Sequence, residues 1–166
     1  MKSLIYGYGK TGKSFARFLE SKKYKFDIYD DNLPKYSKKI DLKKYNQILC
    51  SPGIPKNIFE KIRNINKNVL TDLDIFFQED NSIKIGITGT NRKSTTAFHL
   101  YQLFEKFDPA NLIGNIGNPM LDCINTKKYS IIELSSFQLD KMTINRLDFG
   151  ILLNLSLIHI SEPTRP

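Results

Sequence analysis

Residues 83–96 read IKIGITGTNRKSTT, and the fold turns on this stretch. Ile83, Ile85 and Ile87 alternate as on a buried strand. The strand runs into a small polar turn, Thr88-Gly89-Thr90-Asn91-Arg92-Lys93-Ser94, and the turn opens a helix. A strand, a turn rich in Gly and Ser/Thr, and Lys-Ser at a helix start together make a phosphate cradle. Backbone N–H groups and the helix N-terminus face the anion, the lysine reaches the outer phosphates, and the serine hydroxyl can take a magnesium ion. Arg92 stands where such loops usually carry glycine. The spacing also departs from the strict G-x-x-x-x-G-K-[ST] pattern, whose first glycine would fall on Ile87.

Upstream, residues 2–6 read as a first strand, followed by the G-x-G-x-x-G turn Gly7-Tyr8-Gly9-Lys10-Thr11-Gly12. Phe15, Ala16, Phe18 and Leu19 then recur at helical spacing, and residues 26–29 alternate as a second strand ending at Asp30-Asp31. This is a βαβ unit with an acidic residue close to 20 positions after the glycines, where dinucleotide-binding proteins hold a ribose hydroxyl. A third strand at 47–50 stops at Ser51-Pro52-Gly53-Ile54-Pro55, a turn placed where open α/β sheets bind ligands. Pro55 opening an ordinary helix explains the same turn equally well. Residues 56–65 read as that helix, 68–71 as a short strand and 72–77 as a helical turn, with a polar break at 79–82.

Downstream, Phe98, Tyr101, Leu103, Phe104 and Phe107 predict an amphipathic helix, on which His99 reads as a surface residue. A strand at 111–113 ends at the glycine-rich turn GNIGNP, where the Asn115 amide can both donate and accept. A strand at 129–132 ends at Glu133, a position suited to a magnesium ligand or to capping nearby backbone. Ser135-Ser136-Phe137-Gln138-Leu139 follows, then a last apolar strand at 149–153.

Composition narrows the function classes. Hydrophobic content of 40% and charged content of 25% in 166 residues fit one domain or two small ones with a real core. The formal charge of +8 comes from scattered lysines with no basic stripe and interleaved aromatics, so no nucleic-acid partner is expected. Cys50 and Cys123 stand far apart, which supports neither a zinc site nor a disulfide framework. With no signal-peptide core and no apolar run of about 20 residues, the chain is expected in the cytoplasm with no membrane partner.

GYGKTG, SPGIP, TGTN-x-KSTT, GNIGNP and IIELSSFQL, in this order, resemble the Mur ligases, and within them the members that join D-glutamate to UDP-N-acetylmuramoyl-L-alanine in peptidoglycan synthesis. The resemblance covers residues 1 to about 154. It implies an α/β chain with a Rossmann-like N-terminal domain (1–80) for the UDP substrate. The first part of a P-loop-type α/β ATPase domain (81–154), truncated, would follow. Carried over by position, Lys10, Thr11, Gly12, Asp30, Asp31, Ser51, Pro52 and Gly53 would surround the UDP end of the substrate. Asn115 and Ser135 would touch the muramoyl part. Gly89, Thr90, Asn91, Arg92, Lys93, Ser94 and Thr95 would hold ATP, with Lys93 catalytic, and Ser94 and Glu133 would hold Mg2+.

The implied reaction is an ATP-dependent carbon–nitrogen ligation through an acyl phosphate, by a monomer. Two departures bear on activity. Arg92 replaces the family's glycine, and from Leu155 the chain reads LSLIHISEPTRP, which resembles a translated sequencing adapter. Residues 155–166 are therefore read as a non-native tail, His159 at the family's histidine position as chance, and the fragment as inactive alone. Another Mur ligase, or a module binding NAD through GYGKTG, are the alternative readings.

Overall fold

The computed structural model describes residues 2–155. The adapter-like run from position 156 on, His159 included, lies outside the described residues. The chain is α/β, as expected, and forms two parallel four-stranded sheets. The first holds β1 (Lys2–Tyr6), β2 (Lys25–Tyr29), β3 (Gln47–Cys50) and β4 (Val69–Leu70) in the order β2-β1-β3-β4. Helices α1 (Lys10–Ser21) and α2 (Lys56–Ile65) form its crossovers. Side chains alternate across the sheet. Leu4 and Ile48 therefore pack on Phe59 and Ile62 of α2, while their neighbours Ile5 and Leu49 pack on Phe15 and Leu19 of α1. Cover on both faces is why all four residues of β3 are buried, and its one polar residue, Gln47, donates to Ser3 Oγ at 2.9 Å.

After α3 (Asp72–Glu79) the chain passes to the second sheet. This contains β5 (Ile83–Thr88), β6 (Ala110–Gly114), β7 (Tyr129–Glu133) and β8 (Phe149–Leu152), ordered β6-β7-β5-β8. Helix α4 (Lys93–Phe104) follows β5, and α5 (Ser136–Lys141) follows β7. The polar break at 79–82 is not a solvated linker. Asp80 is buried and accepts from Ser82 N–H at 2.9 Å and Asn125 N–H at 2.7 Å, and Lys84 Nζ lies 3.2 Å from it.

Two expectations change in detail. Instead of a helical turn, α3 runs for 8 residues, because Thr71 and Asp74 close a capping box at its start. The expected apolar face of α4 is only partly a core face. Ala97 is buried and Tyr101 and Phe104 pack inward, but Leu103 is 50% exposed and Phe107, beyond the helix end, is 80% exposed. The spacing also gave no sign of a 3₁₀ turn at Met120–Cys123, whose Met120, Leu121 and Cys123 are buried.

One apolar cluster joins the sheets, with Ile5, Phe15 and Leu49 meeting Ile113, Met120 and Ile132. Polar ties reinforce it, as Ser14 Oγ donates to Asp122 at 2.9 Å and Arg17 pairs with the same carboxylate. Among the described residues no helix is long and apolar enough to cross a membrane.

Candidate functional site

The carboxyl ends of β1, β3, β5, β6 and β7 open onto one cleft of about 1370 Å³. This is the edge at which open α/β sheets place ligands, because loops and helix N-termini converge there. Lys10, Thr11, Pro52 and Gly53 line it from the first sheet. Gly89, Thr90, Asn91, Lys93, Asn115 and Ser135 line it from the second. Residues up to 145 positions apart in sequence, from Lys10 to Leu155, thus share one space.

The loop between β5 and α4 is held by contacts the sequence did not reveal. Thr90 N–H donates to Asn154 O at 2.8 Å, and Asn91 N–H to Asn154 Oδ1 at 3.2 Å. Gly89 has φ +150°, and a Cβ there would lie 2.8 Å from Leu153 Cβ, so the loop's approach to the residues just past β8 requires glycine. In the first turn of α4 the N–H groups of Lys93, Ser94 and Thr95 have no acceptor among the described residues, and no side chain caps the helix. They present free donors, together with the positive end of the helix dipole. Lys93 Nζ donates to Gly89 O at 2.6 Å and to Thr90 O at 3.1 Å, which holds its charge over the loop.

Arg92 adopts φ 63°, ψ 13°, the left-handed conformation that explains the glycine usual in such loops. Its side chain is exposed and does not line the cleft. Arg92→Gly is expected to stabilise the chain by about 0.5–1 kcal/mol, the left-handed cost less glycine's greater chain entropy. Urea unfolding checks this. A midpoint that stays put or falls would mean that the arginine side chain offsets its backbone strain.

Glu133 stands beside both glycine-containing loops, in register with Ile87 of β5 and Gly114 of β6. It is 1% exposed. Oε1 accepts from Asn115 Nδ2 at 3.0 Å, while Oε2 is buried with no hydrogen-bond partner. A buried carboxylate oxygen without a donor is costly, and a hard divalent cation satisfies that need. The donor set therefore suits magnesium, which commonly takes one or two protein oxygens and completes its shell with water and phosphate. Ser94 and Thr95 are exposed in the first turn of α4, outside the cleft lining. Among the described residues no group of three His, Cys, Asp or Glu side chains could hold a metal by itself.

Four other predicted residues brace the cleft from behind. A Cβ on Gly12 would lie 2.2 Å from Gly7 O, so this glycine lets α1 pack on the turn that precedes it. Ser51 Oγ donates to Gly7 O at 2.7 Å. Asp30 accepts from Tyr8 N–H at 2.6 Å and from Asn32 N–H at 2.9 Å, so both of its oxygens serve the backbone. Asp31 accepts from the Tyr29 hydroxyl. None of these four lines the cleft. Ser135 does, and it also caps α5 by accepting from Gln138 N–H at 3.2 Å.

The cleft also contains Asp72 and Lys141, neither of which was legible as a site residue. Lysine on a short polar helix reads as solvated, and Asp72 reads as a helix-start residue. Asn154 carries the signal that singled out Glu133, a polar residue where an apolar strand ends. The cysteines are chemically quiet, since burial pushes the Cys50 thiol up to about 12 and raises Cys123 as well.

Over 97% of its length the chain is 39% identical to a curated protein named UDP-N-acetylmuramoylalanine–D-glutamate ligase from Francisella tularensis subsp. novicida (strain U112). Proteins of the same name from F. tularensis subsp. tularensis (strain WY96-3418) and subsp. holarctica (strain LVS) are 38% identical over the same share. The chain spans 40% of the length of each of these relatives. No family model matches it. The resemblance read from the motifs is borne out by these relatives.

Proposed function

We propose, from its kinship with proteins named UDP-N-acetylmuramoylalanine–D-glutamate ligase, that this chain carries the UDP-substrate wall and the ATP-phosphate wall of such a ligase. Residues 1–80 supply the first wall and residues 81–154 the second. The observation that carries the reading is the single cleft in which the Lys10–Thr11 and Pro52–Gly53 turns face the loop of Lys93 and the Asn115 turn.

In the proposed reaction the substrate carboxylate oxygen attacks the γ-phosphorus of ATP and ADP leaves. The amine of D-glutamate then attacks the acyl carbon, phosphate departs, and the nitrogen loses a proton. This chain's residues position and neutralise. Lys93 and the free amides at the start of α4 take the phosphate oxygens, Asn115 orients the acceptor, and apolar packing behind Gly89 keeps the loop in place. Magnesium on Glu133 and Ser94 would supply further positive charge to the phosphates. The setting proposed is the cytoplasm. Because the 166-residue chain spans 40% of those relatives, binding rather than turnover is proposed for it alone.

Calorimetric titration with UDP-N-acetylmuramoyl-L-alanine, MgATP and NADH tests this. The first two ligands are expected to bind. Lys93→Met is expected to weaken MgATP by roughly tenfold to hundredfold, the worth of a charge-assisted contact, and to leave the UDP ligand unaffected. Binding of NADH alone would favour the dinucleotide reading, against which stands Asp30, whose oxygens already accept two backbone amides.

A further inference from the structure

Lys141 ends α5 on the second sheet's side of the cleft, yet its ammonium serves a turn that belongs to the first sheet. It is 4% exposed, and Nζ donates to Pro52 O at 2.7 Å and also to Ile54 O. No carboxylate pairs with it among the described residues; the neighbouring Asp140 pairs with Lys56 at 2.8 Å. Burying an ammonium against two neutral carbonyls costs desolvation. Pointing one of its N–H groups at solvent would have been cheaper. What the arrangement achieves is orientation.

The Pro52–Gly53 peptide is trans, as are all described peptide bonds, so its C=O and N–H point in opposite directions. Holding Pro52 O against Lys141 therefore fixes where the Gly53 N–H points. That amide has no acceptor among the described residues, and Gly53 is exposed along the cleft. From the near side the turn is held by Ser51, whose N–H donates to Tyr6 O at 3.0 Å and whose hydroxyl holds Gly7 O. From the far side Lys141 supplies the hydrogen bonds. The turn's own bond, from Ile54 N–H to Ser51 O at 3.1 Å, spans the Pro52–Gly53 peptide without fixing its orientation, since that peptide donates and accepts nothing in it.

We propose that Lys141 is a positioning residue that locks the Pro52–Gly53 peptide so that the Gly53 N–H faces the cleft as a ready donor to an acceptor oxygen of the bound ligand. The ligand class, an anionic nucleotide diphosphate, rests on the function proposed above, whereas the locking does not.

The test is 15N NMR relaxation on the intact 166-residue chain, free and with UDP as the probe. In the free wild-type protein the Gly53 amide is expected to be as rigid as those of β3, despite its exposure. A mobile wild-type Gly53 overturns the proposal with no variant needed. Lys141→Met is expected to release Gly53 into the mobile range while the amides of Ile48 and Leu49 keep their wild-type behaviour, and Lys141→Arg is expected to restore it. A Gly53 that stays rigid in a folded Lys141→Met protein equally overturns the proposal. UDP is expected to shift the Gly53 signal, and to bind about tenfold more weakly to Lys141→Met, the worth of one donor. If UDP binds neither protein, the functional reading fails while the free-state relaxation still decides the role of Lys141.

Discussion

Asp74→Ala is expected to lower the unfolding free energy by about 3–5 kcal/mol, the range for breaking a buried charged network. Asp74 is fully buried in the first turn of α3. Oδ2 accepts from Thr71 N–H and the Thr71 hydroxyl, both at 2.8 Å, closing the capping box. Oδ1 accepts from Thr143 N–H at 2.6 Å, the Thr143 hydroxyl at 3.0 Å and Ile144 N–H at 2.9 Å. One carboxylate thus caps a helix and fastens the segment between α5 and β8 to it. Truncation would leave the Thr71 N–H and hydroxyl buried without an acceptor, and each such group costs about 1–3 kcal/mol, while the part-buried donors of Thr143 and Ile144 would lose their tie to α3. Thr143→Ala, which leaves both backbone donors paired, is expected to cost only about 1 kcal/mol. Urea unfolding of both variants measures the difference. A loss below about 1 kcal/mol for Asp74→Ala would show that water replaces the carboxylate and that the tie has little energetic weight.

Two residues earlier, Asp72→Asn is expected to act in the opposite direction, and only above a defined pH. Burial pushes the Asp72 carboxyl up to about 6, against backbone amides of the helix start that favour its charge; nearby Asp74 raises it further. Oδ1 has no partner. From about pH 4 to about pH 6 the folded chain keeps a proton that the unfolded chain has lost, so stability falls as pH rises through that window. Above pH 6 the ionised group costs the folded state about 2–3 kcal/mol. Asn carries no charge at either pH. Asp72→Asn is therefore expected to exceed the parent by about 2–3 kcal/mol at pH 7.5 and to match it near pH 4. Unfolding midpoints at the two pH values check this. A variant less stable than the parent at pH 7.5 would mean that the carboxylate has a cationic partner in solution. Asp72 lines the cleft, so the predicted penalty falls where ligands are proposed to bind.

Local pattern alone was sufficient for much of the architecture. The alternation of Ile83, Ile85 and Ile87 and the glycines on either side of Tyr8 specify strands that end in turns. Parallel strands buried on both faces leave few other ways to hide those residues. Arg92 was legible for the same reason, since the left-handed position it occupies is a property of the loop itself. Ten of the residues that line the cleft, Lys10, Gly53, Lys93 and Asn115 among them, were also legible, because glycine, lysine and amide side chains at strand ends carry their chemistry in short motifs.

The motifs could not say which polar atoms remain available once the chain has folded. Asp30 and Ser51 stand at the positions a ligand-binding residue would take, but Asp30 accepts from the Tyr8 and Asn32 N–H groups and Ser51 donates to Gly7 O, the nearest backbone in need of partners. Lys141 and Asn154 carry no motif, yet each holds a cleft loop through contacts across long sequence separations. The sequence by itself determined the strands, their glycine-rich turns and the place of Lys93 at the start of α4, because these depend on neighbours within a few residues. Only the tertiary structure decided which donors and acceptors face the cleft, because buried hydrogen-bonding groups must be satisfied and their partners are set by packing between distant segments.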